Sequence, residues 1–347
     1  MTFGEALEAS EGIHNKRHLL LGNGFSIACR PDCFNYGALL EEADFSGLSV
    51  EAQALFASVE TSDFEAVIAT LLAAEKIVGL YAIADPDLSA RLRTDADCLR
   101  DALADVLAST HPDNVGSIEE WEYQSARGFL QHFGHIFTLN YDLLLYWALI
   151  QDLEPAITND DGFRADENDP DAVYVVWNHF QPYDQNVYYL HGGLHLFDGG
   201  SYLKKVTWKR TGVPIVDQIR AALDEGEYPL VVTEGTTEEK LRKVQHHAYM
   251  ARGLRSLVSC QGSLFVYGHS LAGNDAHILR GISKGKFKAL FVSLYGDPAS
   301  NENRLIRERA ALLAADRPRT RPLEVFFYDA ATAHVWDGAP EPERREA

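Results

Sequence analysis

The sequence predicts an α/β protein, a doubly wound and mostly parallel sheet carrying a helical insertion, and three observations lead there. Most of seven short apolar runs are continuously hydrophobic rather than alternating, as strands covered on both faces are. Several of them are followed by a polar turn and then a helical pattern, the order that right-handed crossovers produce. Small and polar residues gather at the carboxyl end of one predicted strand after another.

Along the chain, the first strand is expected at His18–Leu21 and ends in Gly22-Asn23-Gly24-Phe25-Ser26. Residues 37–128 differ in character: they are acidic, rich in Ala and Leu, and carry helical spacing such as Phe64-Val67-Ile68-Leu71-Leu72. They are read as an insertion covering or flanking a sheet domain built from residues 1–36 and 129–337. The second strand, His135–Leu139, leads into Asn140-Tyr141-Asp142 and a helix Leu143–Ile150. Val187–Leu190 ends in His191-Gly192, and Val173–Trp177 is an eighth candidate strand forming a hairpin with it across a turn-rich segment. Pro229–Val232 precedes Thr236–Glu239, whose spacing is that of a capping box opening one long helix to about Leu257. Ser263–Tyr267 ends in Gly268-His269-Ser270 before a helix at Asn274–Ser283. Lys288–Leu294, a helix Asn301–Ala314 and Leu323–Phe327 complete the pattern, and the tail Gly338–Ala347 reads as disordered. No internal repeat is visible.

With 347 residues, 46% of them hydrophobic, the chain can build a sizeable core. No apolar run approaches the roughly 20 residues of a membrane span, and the N-terminus lacks the pattern of a signal peptide. A cytoplasmic location without membrane contact is therefore expected. Lys and Arg number 31 against 51 Asp and Glu, a net charge of −20, which argues against direct nucleic-acid binding. Four cysteines are too few and too scattered for a disulfide framework. Metal is not expected: Cys29 and Cys33 lack a second Cys/His pair. His191 and His195 are separated by Gly192-Gly193, which disfavours a helix, and His246-His247 have no evident partner.

In open α/β sheets ligands bind beyond the carboxyl ends of the strands. Each turn taken singly is ordinary turn chemistry, but the succession points to a site. The first turn has the spacing that brings backbone N–H groups close to a pyrophosphate. It departs from the dehydrogenase fingerprint, because Ile27 stands at the third glycine and no strand with a terminal acid follows about 20 residues on. Asn140 and Asp142 could instead merely cap the following helix, His191 could be a hydrogen-bonded core residue, and Lys240 a solvated helix charge.

Gly22-Asn23-Gly24-Phe25-Ser26, Thr138-Leu139-Asn140-Tyr141-Asp142, His191-Gly192 and Gly268-His269-Ser270 occur in that order. Together they resemble the prokaryotic sirtuin-like NAD-binding families, above all one of uncharacterised function, over residues 18–36 and about 130–336. The resemblance implies a Rossmann-like domain with NAD⁺ as substrate, its phosphates held by Gly22, Asn23, Gly24 and Ser26, with Gly268 and Ser270 assisting. Asn140 would hold the ribose and position water, Asp142 would touch the carboxamide, and His191 would be the general base. Lys240, in a segment with Glu234 and Thr236 that also matches the family, could meet a phosphate. A four-cysteine zinc module and a peptide groove are not visible, which disfavours deacetylation and favours water as acceptor. The implied activity is an NAD⁺ glycohydrolase, akin to NAD⁺-depleting effectors of anti-phage defence, working as a homo-oligomer with a sensor or activator protein.

Two other readings stand beside it. One is a sensor that binds NAD⁺ or ADP-ribose without cleaving it. The other is an α/β-hydrolase esterase with Ser270 as nucleophile, His191-Gly192-Gly193 as oxyanion segment, Asp297 or Asp329 as acid and His334 as base.

Overall fold

The computed structural model describes residues 1–34, 43–60, 64–78, 80–81, 85, 87–109, 111–112, 114–177, 184–200, 202–232 and 237–338. Among them the strands are β1 (Arg17–Leu21), β2 (His135–Thr138), β3 (Arg164–Ala165), β4 (Tyr174–Trp177), β5 (Val187–Tyr189), β6 (Gly192–Asp198), β7 (Leu203–Val206), β8 (Pro229–Val231), β9 (Gln261–Tyr267), β10 (Lys286–Leu294) and β11 (Glu324–Asp329). Six form one sheet in the order β11-β10-β9-β1-β2-β5. Every pairing in it is parallel. With helices on both faces, this is the Rossmann-like doubly wound architecture that the sequence predicts.

The continuous apolar runs arise because each face of the sheet is buried, so successive residues on one strand face different cores. Leu19 and Leu21 enter one hydrophobic cluster and Leu20 the other; Phe265 and Tyr267 oppose Leu264 and Val266 in the same way. One face is covered by an N-terminal helix, Phe3–Ile13, opened by a capping box between Thr2 and Glu5. The sequence reading did not anticipate that helix. Leu257 of the helix Ala248–Ser259, Ile278, Leu279 and Ile282 of Ala276–Lys284, and Ala310 and Leu313 of Asn301–Ala315 belong to the other cluster.

From β1 the chain winds through β2 to β5 on one side, then returns to β9, β10 and β11 on the other. The direction of winding therefore reverses between β1 and β9, the place where such sheets open a crevice.

Several expectations are corrected. Pro229–Val232 does not join the parallel sheet: β8 pairs antiparallel with β6 in a second sheet ordered β3-β4-β7-β6-β8. Tyr174–Trp177 does not form a hairpin with β5; it pairs with β7 and β3, while β5 lies parallel to β2. β6 and β7 were not expected, because two glycines open β6 and β7 carries two lysines. The predicted helix from Thr236 to Leu257 is two helices, Thr237–His246 and Ala248–Ser259, broken where His247 takes an extended conformation. The proposed cap at Thr236 and the neighbouring Glu234 lie outside the described residues, as do 339–347 of the tail.

Within 37–128 the described residues form the helices Ala52–Ser58, Phe64–Val78, Leu88–Ser109 and Glu120–Leu130. Phe64, Val67, Ile68 and Leu71 bury one face, as their spacing predicts, and they join the same cluster as Leu19 and Phe265. No helix among the described residues is long and apolar enough to cross a membrane.

Candidate functional site

The turns after β1 and β9 press against each other at the reversal point. Gly22 N–H donates to the Tyr267 carbonyl at 2.9 Å, and Gly24 N–H to the Gly268 carbonyl at 2.8 Å. A methyl group on Gly24 would stand 2.5 Å from Gly268 Cα, and one on Gly22 only 2.6 Å from the Gly268 carbonyl oxygen. Glycine is required here for backbone contact, not for the turn alone. Gly268 also adopts φ +69°, and its N–H donates to Ser293 Oγ at 3.0 Å.

This alters the sequence reading of the first turn. The N–H groups of Gly22, Gly24, Phe25 and Ser26 are all spent inside the protein, so they are not the phosphate donors expected of them. The N–H groups of Asn23, His269 and Ser270 have no partner among the described residues. All three residues line the cleft and can supply donors to an anion.

Above the turns lies a cleft of about 1190 Å³. Gly22, Asn23, Gly24, Asn140, His191, Lys240, Gly268 and Ser270 line it, gathering sequence-predicted site residues from five separate segments. It exceeds ordinary small-ligand cavities of roughly 300–1,000 Å³ and has room for an extended ligand. Tyr295, just after β10, is 81% exposed and also lines the cleft. Trp336 lines it too, its Nε1–H donating to the Phe25 carbonyl at 2.9 Å.

Ser26 and Asp142 are not in the lining. Ser26 Oγ donates to Asp142 Oδ2 at 2.5 Å, and Leu144 N–H donates to Asp142 Oδ1 at 2.9 Å. Asp142 is 3% exposed, and burial raises its carboxyl to about 6 against the hydrogen bonds that favour its charge. It is thus a brace joining the first turn to the helix Leu144–Ile150, where the sequence reading placed it on a carboxamide. Asn140 stands between brace and cleft. Its Nδ2 donates to the Gly22 carbonyl at 3.1 Å and to Ser26 Oγ at 2.9 Å. Because a carbonyl can only accept, the amide orientation is fixed, and Oδ1 is the atom Asn140 can offer to a ligand.

His191 follows β5 and is held at the mouth of β6 by Val232 N–H, which donates to its carbonyl at 2.8 Å. Its ring is part of a buried polar network that sequence reasoning missed. His191 Nε2 lies 3.0 Å from His277 Nε2 and 3.9 Å from Asp275 Oδ1. Asp275 also accepts from Lys240 Nζ at 3.2 Å and from His269 Nε2 at 3.1 Å. Leu271 N–H donates to His269 Nδ1, which fixes the proton of that ring on Nε2, toward Asp275.

Burial holds His191 down to about 3 and His277 to about 4, so both rings are neutral at pH 7. Burial would raise Asp275, but the His269 hydrogen bond and the neighbouring His191 and Lys240 outweigh it and hold the carboxyl below the ordinary range. Lys240 is 5% exposed, so it is a buried partner of Asp275 rather than a solvated helix charge. Asp275 and His277 escaped notice because both fall in the first turn of the predicted helix Asn274–Ser283, where an acid reads as ordinary helix-end chemistry. Here Asp275 makes no cap hydrogen bond, since its oxygens face His269 and Lys240.

One donor atom from each of His191, Asp275 and His277 lies within 4.8 Å of the others, a spacing on which a cation could converge. Lys240 already supplies a positive charge to that carboxylate, and the separation of the two rings is a hydrogen-bond length. Ser270 is exposed on the wall, and the helix after it starts only at Ala276. The positive φ values fall on Gly268 and Leu271, not on Ser270, so the strained strand-to-helix elbow of an α/β-hydrolase is not formed. His334 pairs with Asp337 at 3.4 Å.

The model of a family described as a domain of unknown function (DUF4917) matches residues 19–336, and the chain belongs to that family. A comparison with curated proteins found no match.

Proposed function

We propose that the cleft binds NAD⁺ and that the protein is an NAD⁺ glycohydrolase, breaking the nicotinamide–ribose bond. The observation that carries this reading is the convergence of Asn140 and His191 on one cleft at the reversal point of the sheet, beside the paired glycine turns. In this reading the Asn23, His269 and Ser270 N–H groups meet the pyrophosphate, and Tyr295 stacks on the adenine. The C–N bond breaks with its electron pair leaving on neutral nicotinamide, and the ribose carbon gains oxocarbenium character. Asn140 Oδ1 orients a ribose hydroxyl or the incoming water. Water forms the new C–O bond, and its proton passes to His191, whose cation Asp275 stabilises from 3.9 Å, and then to solvent.

A neutral imidazole held at about 3 is a weak base, which suffices here because water bonding to a carbon of oxocarbenium character becomes strongly acidic. By the resemblance, the activity would deplete NAD⁺ in anti-phage defence, in a homo-oligomer switched on by a partner protein. A binding-only sensor is the second reading, favoured by the contact of His191 Nε2 with His277 and by its 4% exposure.

The test is nicotinamide release from NAD⁺ by wild type, Asn140→Ala and His191→Ala. Release by wild type and by neither folded variant is the expected result. Wild-type rates in both variants overturn the site assignment. NAD⁺ binding without release, even with the activating partner present, selects the sensor.

A further inference from the structure

The amino-terminal edge of the parallel sheet, at the opposite end from the cleft, carries a second group of side chains with distinct chemistry. His18 and His135 are direct partners in the β1–β2 register, so adjacent parallel strands set two imidazoles side by side, 5.0 Å between ring centres. They share the face of Leu20 and Phe137, two residues further along each strand. Cys260, which caps the helix Ala248–Ser259 just before β9, packs into that same cluster. One donor atom from each of the three lies within 4.8 Å of the others.

The hydrogen bonding decides what these atoms are free to do. His18 Nε2 lies 3.0 Å from the Gln261 carbonyl, which can only accept, so the proton is on Nε2. Nδ1 therefore carries a lone pair, and it is buried without a hydrogen-bond partner. His18 itself is 4% exposed, so solvent does not satisfy it. His135 Nδ1 is also buried without a partner. A ring nitrogen with a bare lone pair, whose other nitrogen donates to a backbone carbonyl, is the arrangement of a metal-ligating histidine.

We propose that His18, His135 and Cys260 form a binding site for a thiophilic divalent cation of the Zn²⁺ class. Two imidazoles and one thiolate match the preference of Zn²⁺ for nitrogen and sulfur donors. Tetrahedral coordination separates such donors by roughly 3.3–3.6 Å, so the ion needs only a small inward movement of side chains already facing one another. Binding replaces the Cys260 thiol proton, which leaves to solvent, by a metal–sulfur bond. His135 is half-buried and gives the ion its solvent side, where water completes the coordination. The ion ties β1, β2 and the entrance to β9 together, the same strands that position the cleft at their other ends. The site stands independently of what the cleft binds.

The experiment uses the full chain, stripped with a chelator and titrated with Zn²⁺ against a chromophoric competitor. Co²⁺ substitution then reports thiolate coordination by its charge-transfer absorption. The expected result is one tight equivalent in wild type and in His277→Gln, the latter disabling the other candidate cluster. Cys260→Ser and His135→Gln each weaken binding by at least about tenfold, and Cys260→Ser removes the charge-transfer band. Wild type that takes up no Zn²⁺ overturns the proposal. So does wild-type binding by Cys260→Ser, or loss of binding in His277→Gln alone.

Discussion

Replacing Gly268 by Ala tests whether the two glycine turns are in the contact that shapes the cleft. The new methyl carbon would stand 2.5 Å from Gly24 Cα and 2.7 Å from Phe25 N. Carbon atoms pack at about 3.5–4.0 Å, so the turns must retreat by about 1 Å. That retreat strains the 2.8 Å bond from Gly24 N–H to the Gly268 carbonyl, a loss of about 1 kcal/mol. A non-glycine residue at φ +69° costs about 1–2 kcal/mol more. Overpacking adds about 1–3 kcal/mol. The expected destabilisation is thus about 3–6 kcal/mol, read as a lower urea midpoint at unchanged slope. Gly273→Ala is the matched control on the same segment: no atom lies within 4 Å of its added carbon, so its effect should stay within about 0.5 kcal/mol. A Gly268→Ala change below about 1 kcal/mol would refute the contact, and with it the argument for why glycine stands there.

Three further substitutions probe the buried charges. The folded pKa of Asp142, about 6, stands above the 3.8 of an exposed carboxyl, so the folded chain holds this proton more tightly than the unfolded chain. The stability so gained is full below about pH 4 and is lost as pH rises through 6, about 3 kcal/mol in all. Asp142→Asn should remove that loss, seen as a flatter urea midpoint between pH 4 and 7; an unchanged pH dependence would count against a buried carboxyl there. Asp275→Asn leaves the Lys240 ammonium buried without its carboxylate and should cost about 3–5 kcal/mol. Adding Lys240→Met should recover part of that, and simple additivity in the double variant would show that the pair does not interact.

Much of the fold was legible because it rests on local signals. Leu19-Leu20-Leu21 or Leu264-Phe265-Val266 can sit only where both sides are covered, and Gly22, Gly24 and Gly268 mark turns whatever lies around them. The small antiparallel sheet was not legible: the Lys204-Lys205 pair in β7 and the glycines opening β6 conceal strands held by pairing with distant partners. The N-terminal helix was legible in principle, since the Thr2 and Glu5 capping box is local, and it was overlooked among polar residues.

For the site, the chain by itself determined which residues stand after which strand, and hence that Asn140, His191 and Gly268 share one end of the sheet. Strand order and register decided the rest. Which side chain braces and which faces the cleft, as with Asp142 behind Asn140, depends on packing between segments more than a hundred residues apart. Packing between separate segments likewise brings Lys240 and Asp275 together around His191, and His18, His135 and Cys260 together at the other end. These groups carry no spacing motif, because a sheet brings together residues by register and crossover rather than by distance along the chain.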